Sequence, residues 1–259
     1  MTTLLLPPSE TKRDGGAGGS SLELARLAHA EALMESRSAV LEALAALVAG
    51  DDQSAARALK VGAKLASAEL ARDRAVRSSP TMAAIERYTG VLYDALDAGT
   101  LSPAARSRAD AHVIVHSALF GLVAASDAIP AYRLSHDSRL PGLPLTRRWA
   151  GPIARVVAAL PGPIIDLRSE GYAALGPLPR RSERPDAFFV RAVSLGPDGA
   201  ARALNHFNKK GKGSFVRDLL ERGPLPETVD GLIVAASDTG WTLRPGRPGE
   251  LELVVPSTL

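Results

Sequence analysis

Short β-branched apolar runs alternate with tracts of Ala, Leu and Glu along this chain, and that alternation restricts it to a layered fold with a sheet and flanking helices. Thr3 to Leu6 reads as a buried strand closed by Pro7-Pro8. The same signal recurs at His112-Val113-Ile114-Val115-His116-Ser117, at Pro163-Ile164-Ile165-Asp166-Leu167, at Ala187 to Val193 and at Gly231-Leu232-Ile233-Val234-Ala235-Ala236. Trp241 to Arg244 and Glu250 to Val255 read as a closing hairpin around the turn from Pro245 to Gly249.

Between these runs the composition favours helix. Ser20-Ser21-Leu22-Glu23 opens a helix-forming tract that runs with interruptions to about Ala49 and stops at Gly50-Asp51-Asp52. From Gln53 to Ala75, Gly62 separates two short helical stretches, as in a helix-hairpin-helix element. Pro80 is expected to start a helix through Leu96, Pro103 another through Arg108, and an amphipathic helix runs from about Thr146 to Leu160. The expected fold is α/β (mixed α+β): one compact domain over residues 1–259, a mixed sheet with flanking helices, and a helical portion at about 21–110.

At 259 residues, 46% hydrophobic and 23% charged, the chain can bury a full core. It has no cysteine, so disulfides, cysteine nucleophiles and thiolate metal sites are excluded. The apolar run at the N-terminus is too short for a signal peptide, and no stretch has the length of a membrane span, so a cytoplasmic location and no membrane partner are expected.

A net charge of +3 is unevenly spread. Residues 57–87 carry seven Lys/Arg against three Asp/Glu, residues 132–155 five against one, and residues 202–222 six against two. If these stretches met they would form a positive cleft for a phosphate backbone or a nucleotide; each is otherwise the wet face of its own helix. The densest basic segment runs from Asn205 to Arg217 and contains Lys209, Lys210, Gly211, Lys212 and Gly213. Its glycines suit an amide-lined anion nest, with Ser214 capping a helix behind it.

Polar clusters follow the expected strands, where α/β sheets keep their functional groups. Ser9-Glu10-Thr11-Lys12 follows the first, Tyr132-Arg133 comes after the second, and Asp166-Leu167-Arg168-Ser169-Glu170-Gly171-Tyr172 marks the third. Ser9 and Thr11 would equally cap a turn, Tyr132-Arg133 would equally pack at an interface, and Asp166 and Arg168 would pair if they share a strand face. Glu170 beside Arg168, Ser169 and Tyr172 suits a general acid or base, with Asp166 and Tyr172 as further candidates. No metal site is expected. The histidines His29, His112, His116, His136 and His206 lack zinc spacing, and His112 and His116 would lie about 13 Å apart on a strand. No cofactor is expected either: the Gly15 to Gly19 loop matches neither a P-loop nor a dinucleotide fingerprint.

The order of Leu6-Pro7-Pro8-Ser9-Glu10-Thr11-Lys12, Arg87-Tyr88-Thr89-Gly90-Val91-Leu92-Tyr93, Ser117 to Gly121, Pro130 to Leu134, Asp166 to Tyr172 and Phe207 to Arg217 resembles the YaaA family of peroxide-stress proteins over nearly the whole chain. The resemblance implies a compact mixed α/β fold with a positively charged cleft and a helix-hairpin-helix element. It also implies DNA binding and protection against oxidative damage linked to intracellular iron. Family members of the better-studied branch begin with a Ser-Pro-Ala-Lys-Thr type motif, where this chain has Pro8-Ser9-Glu10-Thr11-Lys12.

Two functions are therefore expected of the basic residues. In the first, the partner is double-stranded DNA: Lys60, Lys64, Arg133, Arg147, Arg148, Lys209, Lys210 and Lys212 contact phosphates, with Gly62 at the hairpin. In the second, an enzyme holds a nucleotide-like small molecule through Lys12, Arg133, Lys209 and Lys212, and Glu170 or Asp166 moves a proton. Ser9, Thr11, Tyr132, Arg168, Ser169 and Arg217 complete the expected phosphate-binding set.

Overall fold

The computed structural model describes residues 1–196, 201–203 and 207–256. Strand β1 (Thr3–Leu6) is buried at all four positions. A helical region follows: α1 (Ala30–Val48), α2 (Asp52–Leu59) and α3 (Ala63–Arg74), the last two joined by a three-residue turn in which Lys60 is left-handed. The segment after Pro80 is not one helix, contrary to expectation. It breaks into β2 (Met82–Ala83), α4 (Ala84–Arg87) and α5 (Val91–Leu96), because Gly90 takes φ 91° between the two helical pieces. Helix α6 (Pro103–His112), capped by the Ser102 hydroxyl, leads into β3 (Val113–Ser117), and β4 (Gly121–Ala124) and β5 (Ala128–Ile129) follow.

The second half runs through α7 (Leu145–Ala159), β6 (Ile164–Asp166), α8 (Glu170–Leu175), β7 (Ala187–Leu195) and β8 (Ala201–Ala203). It ends with α9 (Phe207–Arg222), α10 (Val229–Asp238) and the hairpin of β9 (Thr242–Pro245) and β10 (Glu250–Val254). The run Gly231 to Ala236 is thus helical and not a strand. The Thr228 hydroxyl accepts from Gly231 N–H at the helix start, Leu232, Ala235 and Ala236 face the core, and Val234 is exposed, which is a helical and not an alternating pattern.

The main sheet has the order β4-β3-β1-β6-β7-β10-β9, with β8 pairing along the end of β7; β2 and β5 form a separate pair. Strands β3, β1, β6, β7 and β10 run parallel, with β4 and β9 antiparallel at the edges. The chain leaves β1 toward β3 on one side and leaves the adjacent β6 toward β7 on the other. That reversal opens a crevice beyond the carboxyl ends of β1 and β6. Among the described residues no helix is long and apolar enough to cross a membrane.

Candidate functional site

Everything at the crevice follows from how β1 ends. Pro7-Pro8 stops the strand, and the turn behind it is tied down by Lys12, whose Nζ donates to the carbonyls of Ser9 (2.9 Å) and Glu10 (3.2 Å). That ammonium sits 4.1 Å from the centre of the Tyr132 ring. Burial, and then the nearby Arg133, pull the Lys12 pKa down to about 7. The turn presents a string of hydroxyls: Ser9 Oγ lies 3.3 Å from Thr11 Oγ1, which accepts from Thr89 Oγ1 at 2.9 Å. Gly90 makes this closeness possible. It has a left-handed φ, and a Cβ there would lie 3.2 Å from Ser9 Oγ and 3.3 Å from Thr11 Oγ1.

The second wall comes from β6. Asp166 and Arg168 are both fully buried, and Asp166 accepts the Arg168 backbone N–H, Nε and Nη2. Arg168 Nη1 donates to His116 Nδ1 at 2.8 Å, so this imidazole is neutral and carries its proton on Nε2; burial and the arginine charge hold its pKa well below the ordinary value. This frame aims the chain so that Ser169, the N-cap of α8, and Tyr172 face the crevice. Burial pushes the Tyr172 phenol pKa upward.

The third wall is the first turn and a half of α9. The expected glycine nest and Ser214 cap are corrected here: Lys209 to Ser214 all lie inside the helix, and neither Gly211 nor Gly213 has a positive φ. Both glycines instead permit close packing. A Cβ on Gly211 would lie 2.6 Å from Val255, and one on Gly213 would lie 2.1 Å from the Leu92 carbonyl oxygen. Lys212 is buried, donates from Nζ to the carbonyls of Leu167 (3.0 Å) and Arg168 (3.4 Å), and has its pKa lowered by burial to about 8. Lys209 is exposed at the rim. Asn205 and His206 lie outside the described residues.

The result is a cleft of about 510 Å³ at the sheet reversal, lined by Ser9, Thr11, Thr89, Gly90, Ser135, His136, Ser169, Tyr172, Asn208, Lys209 and Lys212. Of the expected residues, six converge here: Ser9, Thr11, Ser169, Tyr172, Lys209 and Lys212. Lys12, Tyr132 and Arg133 stand behind the Ser9–Thr11 turn. Tyr132 Oη bonds Ser117 Oγ (2.7 Å) and Tyr88 Oη (2.8 Å), and Arg133 Nη2 donates to Glu10 at 3.0 Å. Beside them the Arg133 backbone N–H donates to buried Asp73 at 2.6 Å, and burial raises the Asp73 pKa to about 7.

Others are placed elsewhere. Glu170 is exposed and pairs with Arg191 at 3.1 Å. Arg217 is a helix cap: its guanidinium donates to the carbonyls of Leu96, Asp97 and Thr100. Lys60 pairs with Asp137 at 2.6 Å, Arg148 pairs with Glu35, Lys64 is exposed on α3, and Lys210 is exposed on α9. Arg147 lines a separate depression that meets the cleft at His136. Thr89, Gly90, Ser135, His136 and Asn208 were not singled out by the sequence as site residues. Their signal was proximity to the segments Arg87–Tyr93, Pro130–Leu134 and Phe207–Arg217. No group of three or more His, Asp or Glu side chains converges to hold a metal among the described residues.

Comparison with known proteins places the chain in a family. A family model described as "Peroxide stress protein YaaA" matches residues 1–245. A UPF0246 protein of Corynebacterium efficiens is 41% identical, the match spanning 97% of this chain and 99% of that protein. A UPF0246 protein of Streptomyces coelicolor is 38% identical over 97% and 98% of the two chains.

Proposed function

This chain belongs to the YaaA family of peroxide stress proteins, and we propose, from the geometry of its cleft, that it acts by holding a small phosphorylated, nucleotide-sized metabolite between β1, β6 and α9. The observation that carries the reading is the convergence of Lys209, Lys212 and the positive end of α9 on one wall, opposite the Ser9, Thr11 and Thr89 hydroxyls on another. Cationic groups and a helix N-terminus suit a phosphoryl group, and a hydroxyl string suits a sugar. The volume suits a single nucleotide-sized molecule. Asp166 and Glu170 contribute little to acid–base chemistry on such a ligand, the one sealed in an ion pair and the other paired with Arg191 outside the cleft.

A second reading, binding of double-stranded DNA, is favoured by one feature. Helices α2 and α3 meet at the Lys60-Val61-Gly62 turn, Gly62 has open space around its Cα, and α3 begins without a side-chain cap beside exposed Lys64. Free amides at such a turn can meet a DNA phosphate. The two readings separate in a titration of fluorescent duplex DNA across a salt series with unlabelled nucleotides as competitors. Displacement by one nucleotide at low concentration supports the cleft reading. A steep salt slope without displacement by any nucleotide overturns it in favour of DNA.

A further inference from the structure

We infer that His136 is the residue through which the cleft grips a phosphoryl oxygen, its imidazole donating a hydrogen bond to that oxygen; this rests on the small-ligand reading above. No covalent bond is made or broken in this step.

The ring is held before any ligand arrives. It lies flat across the start of α8, where a Cβ on Gly171 would fall 2.6 Å from His136 Cε1 and Nε2 and 2.9 Å from Nδ1, so only glycine leaves room for it. The Tyr172 ring meets its face edge-on at 5.1 Å and 85°. Despite this fixed position, neither ring nitrogen has a hydrogen-bond partner among the described residues, and His136 lines the cleft. Other histidines are differently engaged: His112 Nδ1 bonds the Thr2 carbonyl, and His116 Nδ1 accepts from Arg168. An oriented imidazole with free nitrogens in a cavity is preorganised for a ligand atom.

The surrounding charges suit an anion. Lys209 and Lys212 line the same cavity from α9, and Arg139 and Arg147 line the depression that His136 shares with it. The acidic groups nearby are paired with cations: Asp137 with Lys60, Glu10 with Arg133, and Glu170, which precedes Gly171, with Arg191. Tyr172, its pKa raised by burial, faces His136 as an uncharged phenol.

Nuclear magnetic resonance of the histidine side chains tests the assignment, with AMP and inorganic phosphate as probes and His136→Gln to identify the signal by its loss. At pH 6.5, where a Lys212 with a pKa near 8 is already charged, AMP should shift the His136 ring nitrogen signals. His136→Gln should weaken AMP binding about tenfold, the loss of one charge-assisted hydrogen bond. Gly171→Ala should displace the ring signals in the free protein and weaken AMP to a similar degree while the backbone amide spectrum keeps its native dispersion. If AMP binds and Lys209→Ala weakens it, yet the His136 signals stay fixed or His136→Gln binds as the wild type does, the inference fails while the small-ligand reading stands. If neither probe binds the wild-type protein, the small-ligand reading falls and takes this inference with it.

Discussion

Gly213 of α9 runs directly against Leu92 of α5, so close that a Cβ on the glycine would lie 2.1 Å from the Leu92 carbonyl oxygen and 3.0 Å from the Ala95 side chain. The obstacle is backbone, which cannot swing aside as a side chain would. Gly213→Ala should therefore cost about 3 kcal/mol, at the upper end of overpacking penalties. Because Val91 and Leu92 line the cleft together with Lys212, the same change should loosen ligand binding. Urea unfolding checks the first effect, and a stability within 0.5 kcal/mol or so of wild type would refute the packing account.

That pair also explains where the sequence was hard to read. Lysines and glycines in the order Lys209-Lys210-Gly211-Lys212-Gly213 suggest a loop because glycine lowers helix propensity, yet partners distant in sequence, Val255 and the Leu92 carbonyl, require small residues at two helical positions. Local propensity carries no information about such a partner. Gly231 to Ala236 failed for a related reason: a six-residue apolar run fits a buried strand or a helix, and the deciding Thr228 cap stood outside it. The parallel strands β1, β3, β6 and β7 were legible because their β-branched or leucine-rich runs are short and bounded by breakers. The cleft was legible in halves. Polar residues just past β1 and β6 could be named, but Ser135 and His136 enter it only through tertiary packing on Gly171 and Tyr172.

Lys12 and Asp73 predict opposite limbs of a stability profile. Asp73 has a folded pKa raised by burial to about 7, so it binds more protons folded than unfolded from about pH 4 to pH 7, and its contribution falls as pH rises through that window. Lys12 has a folded pKa lowered to about 7, so it binds fewer protons folded than unfolded between about pH 7 and pH 10.5, and its contribution rises with pH there. Together they place a minimum near pH 7. Lys12→Met should gain most relative to wild type below pH 7 and lose that gain by about pH 10, whereas Asp73→Asn should gain progressively from about pH 4 to pH 7. Urea midpoints measured across this range check both, and differences from wild type that do not vary with pH would contradict the burial of these charges.

Asp166 separates a structural from a chemical role. Its two oxygens hold three donors of Arg168, and neither side chain is exposed, so Asp166→Ala leaves a buried guanidinium without its counter-charge. The cost should be about 3–5 kcal/mol. His116 reports on the same change, because Arg168 Nη1 is what fixes its neutral tautomer. A variant that unfolds at wild-type urea concentrations and binds ligand normally, yet loses a turnover seen in the wild type, would restore Asp166 to the list of acid–base candidates.

Glu170 is the complementary case. Its carboxylate is exposed and pairs with Arg191, which keeps a second, tighter pairing with Glu250 at 2.6 Å. Glu170→Gln removes one solvent-screened ion pair from a network that retains its stronger half, so stability should change by no more than about 0.5 kcal/mol. Affinity for AMP or DNA should stay within about twofold of wild type, since His136, Lys209 and Lys212 are untouched. The measurement is a paired titration of both probes with Glu170→Gln and wild-type protein. A variant that binds ligand normally yet abolishes a turnover seen in the wild type would show that the carboxylate swings from Arg191 into the cleft during the reaction and acts there as the acid or base.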